Sequence, residues 1–165
     1  MPAPMQQSEI DAVLTDPVTL ELVERATVMR VAYTGRDGAP RVVPVGYLMR
    51  DGVFTFCTTP ISAKTAALRA DPRVALTVDT SDPLCCLLVR GSASVEVVPG
   101  VPDDYLEYSF RSMPAEQHAG FEAQVRGLYD EMARVTVTPS FARLNDFQRT
   151  APRAVEQLIR AKSAG

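Results

Sequence analysis

The chain has no tryptophan, one histidine, three cysteines and only two lysines among its 165 residues. Each scarcity closes off a class of chemistry. A lone imidazole, His118, leaves no second histidine for most His-based metal sites and weakens a Ser-His-Asp hydrolase reading, so a solvated side chain is expected there. Cys57, Cys85 and Cys86 contain no C-x-x-C pair and are odd in number. They read as buried small apolar residues rather than a zinc ribbon or a secreted disulfide framework. No apolar run approaches the ~18 residues of a membrane span, and Met1-Pro2-Ala3-Pro4 lacks the charged-then-apolar order of a secretory signal. An excess of positive charge is missing as well: 20 acidic against 17 basic residues give a formal charge of −3, which disfavours a duplex-wide phosphate surface. The expectation is a cytoplasmic protein with no nucleic-acid and no membrane partner.

What is there is the composition of a globular protein, 46% hydrophobic and 22% charged, at a length that fits one domain over residues 1–165. Ser8-Glu9-Ile10-Asp11 is capping-box-like and Asp16-Pro17 offers a second cap, so the N-terminal segment 1–25 carries two short helices. From Ala26 the pattern turns to strands: Thr27–Thr34, Pro40–Met49 and Val53–Thr58, joined by turns with Asp37-Gly38 and Asp51-Gly52 hairpin signals. The middle run is apolar on nearly every position, which predicts that both of its faces are covered. Pro44 and Gly46 mark it as an interrupted or edge strand where something approaches the backbone. Ser62–Ala70 reads as a short helix, Arg73–Asp79 and Leu84–Val98 as strands. Segment 99–132 is a helical excursion, with Phe121, Val125, Leu128, Tyr129 and Met132 at helical spacing. The chain then returns to the sheet over Arg134–Thr138 and Phe141–Phe147, before a C-terminal helix within 150–165.

The start of the Ser62 helix is chemically the most informative place. A capping box would put Glu or Gln at Thr65, and the helix dipole disfavours a cation in the first turn by ~0.3–1 kcal/mol, yet this helix carries Lys64. A phosphate there reconciles charge and dipole, with donors from free backbone amides, Ser62, Thr65 and Lys64, and two more from Thr58 and Thr59. The competing reading is a snorkelling surface lysine. Arg41 is a second cationic candidate against a solvated strand-end charge. Arg90-Gly91 interrupts the apolar run Pro83–Val89, which allows a bulge, a close ligand approach or a barrel-corner bend. Tyr33 and Tyr47 are expected to pack as aromatics rather than bond a cofactor's ring edge.

Taken in order, Asp37-Gly38-x-Pro40-Arg41-Val42-Val43-Pro44-Val45, then Asp51-Gly52-x-Phe54-x-Phe56-x-Thr58, then Ser62-Ala63-Lys64-Thr65-x-x-Leu68-Arg69-x-Asp71-Pro72-Arg73-Val74-Ala75-Leu76 resembles the pyridoxamine 5′-phosphate oxidase-like superfamily of flavin-binding split barrels. The resemblance implies a mainly β fold with peripheral helices, a six-stranded split β-barrel, and a homodimer with the cofactor between subunits. By position it implies that Arg41, Val42, Val43, Pro44 and Val45 line the cofactor ring and its phosphate side. Thr58, Thr59, Ser62, Ala63, Lys64 and Thr65 would hold the phosphate, and Arg90 and the start of 134–147 would approach from the other subunit. Where the oxidase proper has Ser-Arg-Lys this chain has Ser62-Ala63-Lys64, and it lacks tryptophan and an Arg-Leu-Ala-Pro ending, so pyridoxamine phosphate oxidation is not expected. The Ser62–Thr65 form is similar to the branch using the deazaflavin coenzyme F-420, while FMN serves the wider superfamily. Either cofactor implies hydride transfer to a small conjugated or quinone-like molecule. A non-catalytic flavin-binding or carrier protein has the same features.

Overall fold

A computed structural model of the chain describes residues 5–149 and 153–163. The Met1–Pro4 start and the Thr150 start expected for the last helix lie outside those residues. Two helices lead: α1 (Gln7–Leu14), capped two residues earlier than the sequence implied, by Gln6 with Glu9, and α2 (Pro17–Arg25), capped by Asp16. The strands are β1 (Val28–Thr34), β2 (Pro40–Gly46), β3 (Leu48–Arg50), β4 (Val53–Thr58), β5 (Arg73–Ser81), β6 (Leu84–Pro99) and β7 (Glu131–Asp146). Between them lie α3 (Ala63–Ala70), then α4 (Asp103–Phe110), a 3-10 turn at Ala115–Gln117 and α5 (His118–Leu128), with α6 (Arg153–Ser163) last.

All seven strands form one antiparallel sheet in the order β2-β1-β5-β6-β7-β4-β3. Its two edges, β2 and β3, are neighbours in the chain, separated by Tyr47 alone. The sheet therefore curls back on itself and stays open along that seam, which makes it a split barrel. Pro40–Met49, expected as one strand, divides at Tyr47, so the count is seven rather than six. Tyr47 turns fully inward at this corner, where its hydroxyl donates to the Val23 carbonyl at 3.2 Å and its ring stacks on Phe54. It is a core tyrosine, and burial drives its pKa far up.

Alternation along each strand fills the interior. Met29 and Val31, Phe54 and Phe56, Leu76 and Val78, Leu87 and Val89, and Val135 and Val137 all point into one core, which Ile10, Leu14, Leu22 and Leu68 close from the helices. Each such side chain contributes roughly 1.5–3 kcal/mol on burial. A second, smaller core joins α4 and α5 to the barrel wall through Cys57, Val101, Leu106, Val125 and Met132. The helical spacing read over 121–132 overran the helix: α5 stops at Leu128, which is exposed, and Met132 already belongs to β7. Cys57 and Cys85 are buried as expected, whereas Cys86 is half-buried.

The longest pairing, β6 with β7, carries a bulge: Arg90 pairs with Phe141 but Gly91 pairs with Pro139, so Ser140 is the extra residue. A Cβ at position 91 would lie 2.3 Å from the Thr138 carbonyl oxygen, a backbone atom that cannot rotate away. Gly91→Ala is accordingly expected to lower stability by about 1–3 kcal/mol in urea unfolding. An unchanged midpoint would contradict this close approach.

Candidate functional site

β4 ends at Thr58 and hands the chain through Thr59 to the start of α3. There Ser62 Oγ accepts the Thr65 amide at 3.1 Å, and the Thr65 hydroxyl donates to the Thr59 carbonyl at 2.9 Å. Having spent its proton, Thr65 Oγ1 can only accept in its 2.9 Å contact with Ser62 Oγ, which makes Ser62 the donor. Both hydroxyl protons are thus used inside the turn, and Thr65 is fully buried. Ser62 and Thr65 shape the cradle. The donors left for an anion are the Ala63 and Lys64 amides, free by helix geometry, the hydroxyls of Thr58 and Thr59, and the Lys64 ammonium.

Lys64 is half-buried with its Nζ 5.6 Å from the centroid of the Phe56 ring. No ion pair to a carboxylate forms there among the described residues, and burial lowers the lysine's pKa. A partly dehydrated cation held against an aromatic face, with no ion pair among the described residues, is stabilised by an arriving anion. Such a partner would also offset the unfavourable helix dipole.

β2 is an edge strand, and its residues split by face. Val43 and Val45 pack inward on the core, while Val42 and Pro44 face out, Val42 with 63% exposure. The outer one of the two faces expected to be covered, an expectation that suits a barrel wall meeting another subunit, is left open by the described residues of one chain. Arg41 sits at the hairpin end, paired with Asp37 at 2.7 Å. That hydrogen bond holds the Asp37 carboxyl below the ordinary carboxylate range. Arg90 also faces out, its guanidinium stacked 4.0 Å from the Phe141 ring centroid.

Register places Val42, Ala32, Ala75, Arg90 and Phe141 in a single row across the outer face. The same register keeps Arg90 away from the cradle within one chain. Thr58 pairs with Ala133, which pairs with Val97, and the run from Arg90 to Val97 spans roughly 23 Å of strand.

One residue near the cradle escaped the sequence reading. Tyr108 of α4 is buried, its Oη accepts the Cys57 amide at 3.2 Å, and its ring lies on Gly46, where a Cβ would come within 2.5 Å of Cδ2. The glycine signal at position 46 was legible; what approaches it was not. His118 is not solvated as expected, since its ring stacks on Phe110 and its Nε2 lies 3.2 Å from the Met113 carbonyl. Two surface hollows, of about 320 and 280 Å³, flank Asp104 and Arg134 and contain none of the cradle residues. Asp104 already pairs there with Arg50 at 3.0 Å and with Arg134 at 2.5 Å.

Among the described residues no cluster of histidine, cysteine and carboxylate side chains could hold a metal ion, and no helix is long and apolar enough to cross a membrane. No curated protein matches the sequence. Among solved structures the chain is similar to an F420 reductase, 24% identical with a TM-score of 0.57, covering 74% of this chain and 94% of that one. It is similar to a conserved hypothetical protein of Mycobacterium tuberculosis, 22% identical with a TM-score of 0.56, covering 86% and 85%. A heme storage protein of Vibrio cholerae shares the fold at 16% identity and a TM-score of 0.53, covering 79% and 92%. These likenesses show the fold. A family model described as pyridoxamine 5′-phosphate oxidase matches residues 15–135, which spans the cradle and β2, and the chain belongs to that family.

Proposed function

We propose that the chain is a flavin- or deazaflavin-dependent oxidoreductase that holds its cofactor's phosphate in the Thr58–Lys64 cradle. The carrying observation is Lys64, partly buried at a helix start with no ion pair to a carboxylate among the described residues. A bound flavin or deazaflavin supplies hydride transfer, and the protein binds, orients and excludes water. In this reading the Ala63 and Lys64 amides and the Lys64 ammonium take the phosphate, helped by Thr58 and Thr59. The outward Val42 and Pro44 lie against the ring, and Arg41 stands at the far end of β2.

Because Arg90 and the cradle are far apart in one chain, a site using both draws them from two copies. A homodimer in the cytoplasm, joined over the exposed outer face, would cover Val42 and Ile61, which is 95% exposed. FMN and coenzyme F-420 both meet the demands of the cradle, and the similarity to an F420 reductase favours the second. The substrate class is a small conjugated or quinone-like acceptor.

A carrier without turnover is the second reading. His118 is tied to Met113 and Phe110, and Tyr47 and Tyr108 are buried, so none of these serves as an acid or base at the cradle. Fluorescence titration with FMN and with coenzyme F-420, followed by turnover with the reduced form over a panel of quinones, separates the readings. Tight binding with turnover supports the oxidoreductase, and tight binding without turnover supports the carrier. Absence of binding by either cofactor overturns both.

A further inference from the structure

The helical excursion packs on the end of β4 beside the cradle and hydrogen-bonds it through Tyr108. β3 pairs with β4 only as far as Leu48 opposite Thr55, so the next amide on that side, at Cys57, has no strand to bond. Tyr108 takes the missing strand's place: its Oη accepts the Cys57 amide at 3.2 Å and lies 3.5 Å from the Cys57 carbonyl. Its ring rests on Gly46, the last residue of β2. One tyrosine therefore braces the ends of β2, which carries Val42–Val45, and of β4, which ends at Thr58. α4 is fixed in turn, by Asp104 on Arg50 and Arg134 at its start, and by Tyr105 against Tyr108 and Phe121.

We propose that Tyr108 is a positioning residue for the phosphate cradle, setting the spacing of Thr58 and Thr59 from Lys64 through the Cys57 backbone. The proposal rests on the phosphate reading above and adds to it a function for the 99–132 excursion. Nothing in the brace touches the cofactor. Loss of the hydroxyl is therefore expected to act on the phosphate end, which lies one and two residues from Cys57, and not on the ring.

The test compares wild type with Tyr108→Phe, which keeps the ring on Gly46 and removes only the hydroxyl. Dissociation constants are measured for FMN and riboflavin, and in parallel for coenzyme F-420 and its phosphate-free chromophore. Deuterium exchange is followed over residues 57–62 without ligand. Tyr108→Phe is expected to weaken the phosphorylated cofactor by about tenfold, the scale of one hydrogen bond, and the phosphate-free form by less than about twofold. Exchange over 57–62 is expected to quicken while β5 and β6 stay protected. Equal losses for both forms, or unchanged exchange, would overturn the role of Tyr108. A wild type that fails to prefer the phosphorylated form would instead overturn the phosphate reading, and this role with it. A wild type and variant that discriminate equally well would overturn this role alone.

Discussion

Lys64→Met is expected to weaken binding of the phosphorylated cofactor by roughly ten- to 150-fold while leaving the ligand-free protein at least as stable as wild type. The affinity change follows from one charge-assisted hydrogen bond, about 1.5–3 kcal/mol. The stability expectation follows from the lysine's surroundings. Its ammonium is partly dehydrated, lies against Phe56, and forms no ion pair to a carboxylate among the described residues, so burial lowers its pKa. A folded pKa below the unfolded one means that the unfolded chain holds the proton to higher pH. Across the window just under the ordinary lysine value of 10.5, the unfolded state therefore binds more protons, and the stability of ligand-free wild type rises with pH. Methionine removes that slope, because it fills a similar volume without a charge. The affinity slope runs the other way: phosphate binding by wild type weakens as pH climbs through the lowered pKa of Lys64. Thermal melts and titrations at stepped pH measure both. A Lys64→Met protein that binds FMN and coenzyme F-420 like wild type would return Lys64 to an ordinary surface lysine. A variant that loses several degrees of Tm would make it structural. Binding residues that cost stability are a common result of selection for function.

Most of the cradle was legible because its signals are local. Ser62 as a cap, Lys64 in a first turn that favours anions, and Thr58-Thr59 at a strand end all follow from neighbours within a few residues. Local chemistry also misled on one point. From sequence alone the Ser62 and Thr65 hydroxyls count as free donors; only the Thr59 carbonyl, brought round by the turn, shows that both protons are committed. The strand meander was legible from its Asp-Gly turns and an interrupted or edge strand from Pro44 and Gly46, but the place of the break, at Tyr47, was not. That residue is decided by the Val23 carbonyl and the Phe54 ring, one of them from a helix far up the chain. Tyr108 escaped for the same reason, since its partners Gly46 and Cys57 lie more than 50 residues away. The bulge at Gly91 was one of three readings open to that glycine, and the Thr138 carbonyl chooses it. The outer face of β2 is left exposed by the described residues of one chain. Its apolar pattern calls for a cover that one chain does not supply, which is why the proposal above needs a second copy.

The largest loss of stability is expected at Phe56, where the barrel core and the cradle share one side chain. Phe56 is fully buried on β4, opposite the equally buried Val135 on β7, and Lys64 Nζ lies over its ring. Truncation to alanine removes the ring from the barrel core and leaves a cavity under α3, since β7, hydrogen-bonded to both β4 and β6, cannot close in. A cost of about 3–5 kcal/mol is expected, enough to unfold a domain of ordinary stability in part. Phe56→Leu keeps much of the volume and is expected to fold, so it isolates the second effect. With no aromatic face beneath it, the Lys64 ammonium loses a cation–π contact of about 0.5–1 kcal/mol, and cofactor affinity is expected to fall only about two- to fivefold. Urea unfolding of both variants and cofactor titration of the leucine one measure these effects. A loss under about 1.5 kcal/mol for Phe56→Ala would mean that the barrel interior relaxes around the site instead of holding it rigid. A stable alanine variant with intact affinity would separate the cradle from the core altogether.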